Sequence, residues 1–305
     1  KTGNLVLISQ DDGTGSELQL RTVTGIAYDL SNSTLTLNTN LSGQFNSGPL
    51  GWVMTVTNPI SSGGVALGRK NRVFGNDGVV GGSSNSLLST GIIFGNRNQG
   101  AGDNSFILGS YNTNVGAARS WIVGNSNTFG NFAAMTAIGA NHSLNRAVST
   151  AIGDNAKTIS HGEVARANGA LAVNGDAQVR EVVQRATTAL INTNWFPLYN
   201  DGAGAGERFN LQTGCSLAFT ARLTGKNSAA SQFFDFELKG TVSRAGGSAT
   251  LRWSQITTNL QDVLTIWPRI DVSGGTYFSI DVKDQSASGT TYRWVADVRG
   301  VEIIN

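Results

Sequence analysis

The feature that most constrains this chain is a short phrase that recurs every 13 to 15 residues between Val65 and Ala156. Each copy has two or three apolar residues, a glycine, two variable residues and an asparagine, as in ILGSYN at residues 107–112. The glycines of successive copies are Gly68, Gly82, Gly95, Gly109, Gly124, Gly139 and Gly153. This period is too short for a helical repeat or a propeller blade. It predicts a β-solenoid (β-roll) of ~14-residue coils, with glycine and asparagine at tight turns.

The apolar residues of the phrase predict how the coils are covered. Two or three apolar residues per coil cannot bury a sizeable core within one chain, so an apolar stripe should remain exposed. We expect identical parallel chains around a threefold axis to cover it, which makes the protein a homotrimer. Inside the coils we expect these side chains to be buried: Ile107, Leu108, Ile122, Val123, Ile138 and Ile152. At the turns we expect Gly95, Gly109, Gly124, Gly139 and Gly153.

Composition excludes several classes of function. Charged residues make up 14% of the chain and the formal net charge is +2. The chain therefore lacks the excess of basic residues that favours binding to nucleic acid or to an acidic membrane face. No apolar run is long enough to span a membrane. One cysteine and two histidines leave no basis for a disulfide framework or a cysteine- or histidine-rich metal site. We expect no metal and no cofactor.

The pattern of apolar and polar residues changes on both sides of the repeat, which predicts three segments: 1–64, 65–177 and 178–305. The first contains short alternating stretches that predict strands, near residues 5–8, 18–20, 35–38 and 52–56, with a polar turn at 11–15. The last has longer alternating runs, such as 217–223 and 234–239, separated by Gly, Asn and Ser. It predicts an antiparallel, jelly-roll-like β-sandwich tip domain. Residues 179–190 also fit helical spacing, but we expect a strand there because a lone helix would lack caps.

Two resemblances accompany these patterns. Residues 136–139 (TAIG) and 150–156 (TAIGDNA) resemble the β-roll head repeats of trimeric autotransporter adhesins. Three pieces in the last segment resemble the C-terminal domain of many bacteriophage tail fibres and tailspikes. They are residues 217–225 (LAFTARLTG), 236–244 (FELKGTVSR) and 292–303 (YRWVADVRGVEI). A β-roll ahead of such a domain is similar to the build of a phage adhesion device, which implies a virion tail location and contact with other tail proteins.

Catalytic signatures are sparse. Glycoside cleavage generally needs two carboxylates on a substrate-binding surface, and Asp235 and Glu237 face one side of a predicted strand. Solvated polar positions are the favoured interpretation of both. His142 and His161 should occupy coil-surface positions, and Cys215 should be a small core residue without an activating base. The glycine-rich stretch 202–206 lacks the Gly-Lys-Ser/Thr of a phosphate loop and predicts a flexible hairpin. No catalytic residue is predicted.

Sugar binding is better supported, because aromatic faces that stack on sugar rings, with polar side chains beside them, suit partly exposed sites. The aromatic candidates of the last segment are Trp195, Tyr199, Trp253, Trp267, Tyr277, Tyr292 and Trp294. Most should fill the core or the trimer axis, above all Trp294. We predict that Trp267, Tyr277 and Trp253 contact the sugar, with Arg269 and Asp271 as its polar partners. An extended strand would place Trp267, Arg269 and Asp271 on one face, which fits a sugar platform or a subunit interface equally well.

The favoured interpretation of the sequence is a non-enzymatic, homotrimeric phage tail fibre or tailspike adhesin that binds a host surface polysaccharide or lipopolysaccharide. One alternative is a polysaccharide depolymerase with carboxylates at a groove between subunits. The others are a purely structural fibre segment and a bacterial trimeric adhesin head.

Overall fold

The part of the chain described by this computed structural model consists of strands and turns, with no helix. It comprises residues 5–11, 16–28, 33–37, 51–53, 64–74, 77–189, 194–202, 207–227, 232–262, 265–272, 275–284 and 290–304. The chain divides into two compact units, Lys1–Asn112 and Thr113–Asn305. The predicted all-β class is confirmed. The three-segment division stays a prediction.

A small antiparallel sheet precedes the repeat. Its strands are β1 (Leu5–Asp11), β2 (Ser16–Tyr28), β3 (Ser33–Leu37) and β4 (Gly51–Val53). They lie in the order β3-β2-β1-β4, so strands are present where the alternating stretches predicted them. Residues 12–15 of the predicted polar turn, residue 38 of the third stretch and residues 54–56 of the last stretch lie outside the described residues.

The repeat region folds into stacked coils, each with one longer strand and one strand of two residues. The strands are β5 (Val65–Arg69), β6 (Arg72–Val73), β7 (Val79–Ser83), β8 (Ser86–Leu87), β9 (Gly91–Asn96), β10 (Gln99–Gly100), β11 (Ser105–Ser110), β12 (Thr113–Asn114), β13 (Trp121–Asn125), β14 (Thr128–Phe129), β15 (Thr136–Ala140), β16 (Ser143–Leu144), β17 (Thr150–Asp154), β18 (Lys157–Thr158) and β19 (Val164–Asn168). In the first unit, β5-β7-β9-β11 and β6-β8-β10 form parallel ladders. In the second, β13-β15-β17-β19 and β12-β14-β16-β18 do the same. The predicted solenoid is confirmed.

Most coils bury one side chain from the longer strand and one from the short strand. Ile107 and Ile122 are fully buried, as predicted. The prediction is wrong for Leu108, Ile138 and Ile152, which are exposed, and Val123 is only half-buried. Successive residues of a strand point to opposite sides, so the inward positions beside Ile138 and Ile152 belong to Ala137 and Ala151. The inward residues differ in size from coil to coil: Ala137 of β15 is followed by Leu144 of β16, whereas Ile122 of β13 is followed by Phe129 of β14.

The register glycines lie near the ends of the longer strands rather than in the turns themselves, so that part of the prediction is wrong. Their φ angles are positive, for example +139° at Gly124 and +124° at Gly139. A Cβ atom on Gly124 would overlap the carbonyl oxygen of Gly139 on the next coil. Glycine is therefore required both by the left-handed backbone and by the close stacking of the coils.

The asparagines of the phrase point into the coils and form a ladder. Asn98 donates from Nδ2 to Asn85 Oδ1 at 2.9 Å and to the Gly109 carbonyl oxygen at 2.7 Å. Its Oδ1 accepts from the backbone N–H and from Nδ2 of Asn112, both at 3.0 Å. The left-handed turn position is the residue before each asparagine, such as Arg97 at φ 55°. This ladder is a role that the turn interpretation of asparagine did not anticipate.

His142 occupies the ladder position that follows Asn127 and is 1% exposed, so its predicted surface position is wrong. Its backbone N–H donates to Asn127 Oδ1 at 3.0 Å. Its Nδ1 accepts from the Ala156 N–H at 3.1 Å, which leaves Nε2 to carry the proton, 3.2 Å from the Ile138 carbonyl oxygen. Burial lowers the pKa of His142 below its ordinary value of 6.5.

After β19 the chain enters an antiparallel sandwich. Its strands are β20 (Ala177–Ala189), β21 (Phe196–Pro197), β22 (Phe209–Asn210), β23 (Cys215–Asn227), β24 (Phe233–Arg244), β25 (Thr250–Gln261), β26 (Ile266–Asp271), β27 (Tyr277–Asp284) and β28 (Thr291–Ile304). The larger sheet has the order β25-β24-β23-β28-β20. The small sheet consists of β21, β22, β26 and β27, with β27 paired to the other three. The predicted strand at 179–190 is confirmed by β20 as far as Ala189, and residue 190 lies outside the described residues; β20 also pairs with β19.

The two sheets enclose one apolar core. Period-2 alternation is complete along β23, where every second residue from Cys215 onward is buried. Trp294 and Tyr292 are both 1% exposed, so they are core residues, as expected for Trp294. Cys215 is buried as predicted, and burial raises the pKa of its thiol to about 11. The core thus keeps this sulfur protonated and unreactive.

A buried ion network joins the last coil to the sandwich. Arg180 on β20 is fully buried, and its guanidinium bonds Glu163 at 2.5 and 3.1 Å and Glu302 at 3.0 Å. The guanidinium also lies 4.4 Å from the ring centre of Phe209. The two carboxylates raise the pKa of Arg180, so the network stays charged despite its burial.

Candidate functional site

The outward face of the small sheet carries most of the predicted site residues. Along β26 the residues alternate, so Ile266, Pro268 and Ile270 point into the core. Trp267, Arg269 and Asp271 therefore share the outward side, with Trp267 50% exposed. Opposite them on β27 lie Lys283, Asp281 and Ser279, in that order. The structure thus brings three of the five predicted residues together.

Arg269 is the centre of the polar part of this face. Its guanidinium bonds Asp281 at 2.8 and 3.1 Å and lies 3.3 Å from Asp271. Burial raises the pKa of Asp281, although Ser279 and Arg269 bond its carboxylate. One guanidinium thus compensates two carboxylates, and both carboxylates are largely shielded, with side-chain exposures of 15% and 3%.

A second tryptophan completes the aromatic part of the face. Trp195 precedes β21, and its ring lies 4.4 Å from the Arg269 guanidinium carbon and 4.7 Å from Lys283 Nζ. These are cation–π distances. Trp195 and Trp267 thus place two indole rings beside a fixed set of hydrogen-bond donors and acceptors. Such a surface can stack a sugar ring and bond its hydroxyls.

Tyr277 lies at the other end of β27 and lines a cleft of about 530 Å³. The full lining is Arg146, Tyr199, Glu207, Arg208, Asn210, Thr276 and Tyr277. Glu207 Oε1 lies 3.3 Å from Arg146 Nε, and Glu207 Oε2 accepts from Asn210 Nδ2 at 3.2 Å. Sequence reasoning missed Arg208 and did not choose Tyr199. Trp195 and Tyr199 lie at alternate positions around the short strand β21, and this spacing is the signal that could have found Tyr199.

Trp253 is not part of this face. It lies on β25, opposite Thr241 of β24, whose neighbours Gly240 and Val242 point into the core. Its 53% exposed side chain therefore belongs to the outward side of the larger sheet. There it lines a shallow depression with Lys239, Thr241, Arg299 and Val301. The predicted residues divide between the two outer faces of the sandwich.

The other candidates for chemistry are engaged in structural contacts. Asp235 pairs with Arg222 at 3.0 Å and Glu237 with Lys239 at 3.2 Å, on the outward side of β24. Within the described residues, no three His, Cys, Asp or Glu side chains are grouped to hold a metal ion. The same part of the chain has no helix long and apolar enough to cross a membrane. Residues 203–206 of the predicted glycine-rich hairpin lie outside the described residues.

Comparisons with known proteins place phage tailspikes among the similar structures. No protein family and no curated protein matches the sequence. The chain is similar to a tailspike protein of Acinetobacter baumannii bacteriophage Fri1, a capsular polysaccharide depolymerase, with 9% identity and a TM-score of 0.27 over 73% of this chain and 47% of that chain. It is also similar to the tailspike protein of Acinetobacter baumannii phage AM24, with 9% identity and a TM-score of 0.23 over 84% and 58%. This chain spans about half the length of those proteins.

Proposed function

We propose that this chain is a subunit of a bacteriophage tail fibre or tailspike that binds a host surface polysaccharide or lipopolysaccharide without cleaving it. The observation that carries the proposal is the outward face of the small sheet, where Trp195 and Trp267 flank a network of fixed polar groups. Aromatic rings beside oriented donors and acceptors are what sugar rings require. The tail-fibre pieces of the sequence and the β-solenoid ahead of the sandwich support a place in the virion tail.

Binding without cleavage is favoured by the state of the carboxylates. A glycosidase of the common type needs two carboxyl groups free to act on the scissile bond. On this face Asp271 and Asp281 share Arg269, and Asp281 is nearly inaccessible. In the cleft, Glu207 is bonded to Asn210 and lies beside Arg146. The described residues thus offer sugar contacts more readily than an acid–base pair.

Trimeric assembly belongs to the same proposal. The coils present outward apolar side chains, among them Leu108 at 43%, Ile138 at 49% and Trp121 at 56% exposure. Edge strand β25 is exposed along almost its whole length and carries Trp253, Ile256 and Leu260. Exposed apolar surface and an uncovered edge strand favour association. Parallel copies of the chain would cover both, and three sites on one trimer would gain avidity.

The experiment combines two readouts on the same purified protein. An array of bacterial surface polysaccharides measures binding, and a reducing-end assay on the bound polysaccharides measures cleavage. We expect binding to selected polysaccharides with no release of reducing ends. Release would establish a depolymerase instead, and failure to bind any surface polysaccharide would leave a structural fibre segment as the function.

A further inference from the structure

Arg208 is the least compensated charge of the cleft. Its side chain is half-buried, and its guanidinium carbon lies 4.4 Å from the Tyr277 ring centre and 5.5 Å from that of Tyr199. Within the residues that the structure describes, no carboxylate pairs with this guanidinium and no acceptor bonds it. Two aromatic rings therefore hold the group in place, and its N–H donors have no acceptor among the described residues.

The neighbouring arginines differ from Arg208 in this respect. Arg269 is paired with Asp271 and Asp281, and Arg146 lies beside Glu207, the one carboxylate of the cleft lining. With Glu207 compensated by Arg146, the lining keeps one net positive charge, which is that of Arg208. A half-buried guanidinium whose donors have no acceptor in the described part of the chain is suited to bind an anion.

We propose that this cleft binds the carboxylate of an acidic saccharide, an inference that rests on the proposed glycan-binding function. A guanidinium and a carboxylate match in a planar, two-bond geometry that lysine cannot reproduce. Tyr277 and Tyr199 would contact the apolar side of the sugar ring. Thr276, exposed at the cleft rim, and Asn210 would bond its hydroxyls. The cleft volume of about 530 Å³ accommodates one or two sugar rings.

The test measures binding of the full chain to single sugars by saturation-transfer NMR and titration. The acidic probes are glucuronate, galacturonate and N-acetylneuraminate, and the neutral probes are glucose, galactose and N-acetylglucosamine. We expect binding of at least one acidic probe, weaker at high salt, and a Kd at least tenfold lower than that of its neutral counterpart. Arg208→Gln should raise that Kd roughly tenfold or more, and Arg208→Lys should recover only part of the loss.

Arg293→Gln is the matched control, because it removes the same charge from an exposed position on β28 of the larger sheet. It should bind as the wild type does. If acidic and neutral sugars bind equally, or if a folded Arg208→Gln protein binds like the wild type, the inference is wrong while glycan binding stands. If Arg208→Gln does not fold, the salt dependence and the acidic-to-neutral ratio of the wild type decide alone. If no probe binds and the polysaccharide array is blank as well, the proposed function fails too.

Discussion

The repeat region and the C-terminal sandwich bury their side chains in different ways. Most coils bury one side chain per strand, and much of their interior is a polar ladder, as where Asn98 bonds both neighbouring coils. The sandwich buries an alternating row along each core strand, such as β23, and closes an apolar core around Trp294. The coils thus depend on residue identity at fixed positions. The sandwich fixes only its inward positions, which leaves its outer faces free to carry a binding surface.

Gly124→Ala tests this dependence most severely. The new Cβ atom would overlap the Gly139 carbonyl oxygen, and the alanine would have to keep a left-handed backbone conformation. We therefore expect the free energy of unfolding to fall by about 4 kcal/mol from strain and overpacking combined. Gly246→Ala in the sandwich is the control, because nothing lies within 4 Å of its Cβ position. Chemical denaturation measures both. Equal unfolding midpoints would show that coil stacking does not require glycine.

Asn98→Ala should have the next largest effect. It removes the Oδ1 acceptor that Asn112 bonds twice and the Nδ2 donor to the Gly109 carbonyl oxygen, at a cost of about 3 kcal/mol. Asn259→Ala is the matched change in the sandwich, where the exposed amide makes one long bond of 3.5 Å to Asp235. It should cost less than about 0.5 kcal/mol. A similar shift in the two melting curves would contradict a structural role for the ladder.

The pH dependence of stability gives the smallest of these effects. Since burial lowers the pKa of His142, the unfolded chain binds more protons below pH 6.5 than the folded chain does. The contribution of neutral His142 is therefore complete above that pH and is lost as the pH falls through 6.5 and below. Melting temperature should drop over this window in the wild type and drop less in His142→Asn, which restores the ladder residue. An unchanged pH profile in that variant would assign the effect elsewhere.

The sequence predicted the parts of this fold that are encoded locally. The 14-residue period follows from glycine and asparagine at fixed spacing, and the sandwich strands follow from period-2 alternation. The direction of Ile138 was wrong because the phrase alone does not tell which of two adjacent apolar residues points inward. The network of Arg180, Glu163 and Glu302 could not be predicted, since its members are 17 and 122 residues apart. Arg208 was missed for the same reason, because only the fold brings it to Tyr277.

If the sandwich binds the glycan and the coils support the trimer, two similarly exposed tryptophans should respond differently to replacement. Trp267 on the small sheet is 50% exposed and Trp121 on the coils is 56% exposed. Each is replaced by alanine, and both adsorption to host cells and trimer melting are measured. We predict that Trp267→Ala abolishes adsorption and leaves trimer melting nearly unchanged, whereas Trp121→Ala weakens the trimer and leaves binding by the assembled protein intact. Adsorption that survives Trp267→Ala but is lost from an intact Trp121→Ala trimer would contradict this prediction.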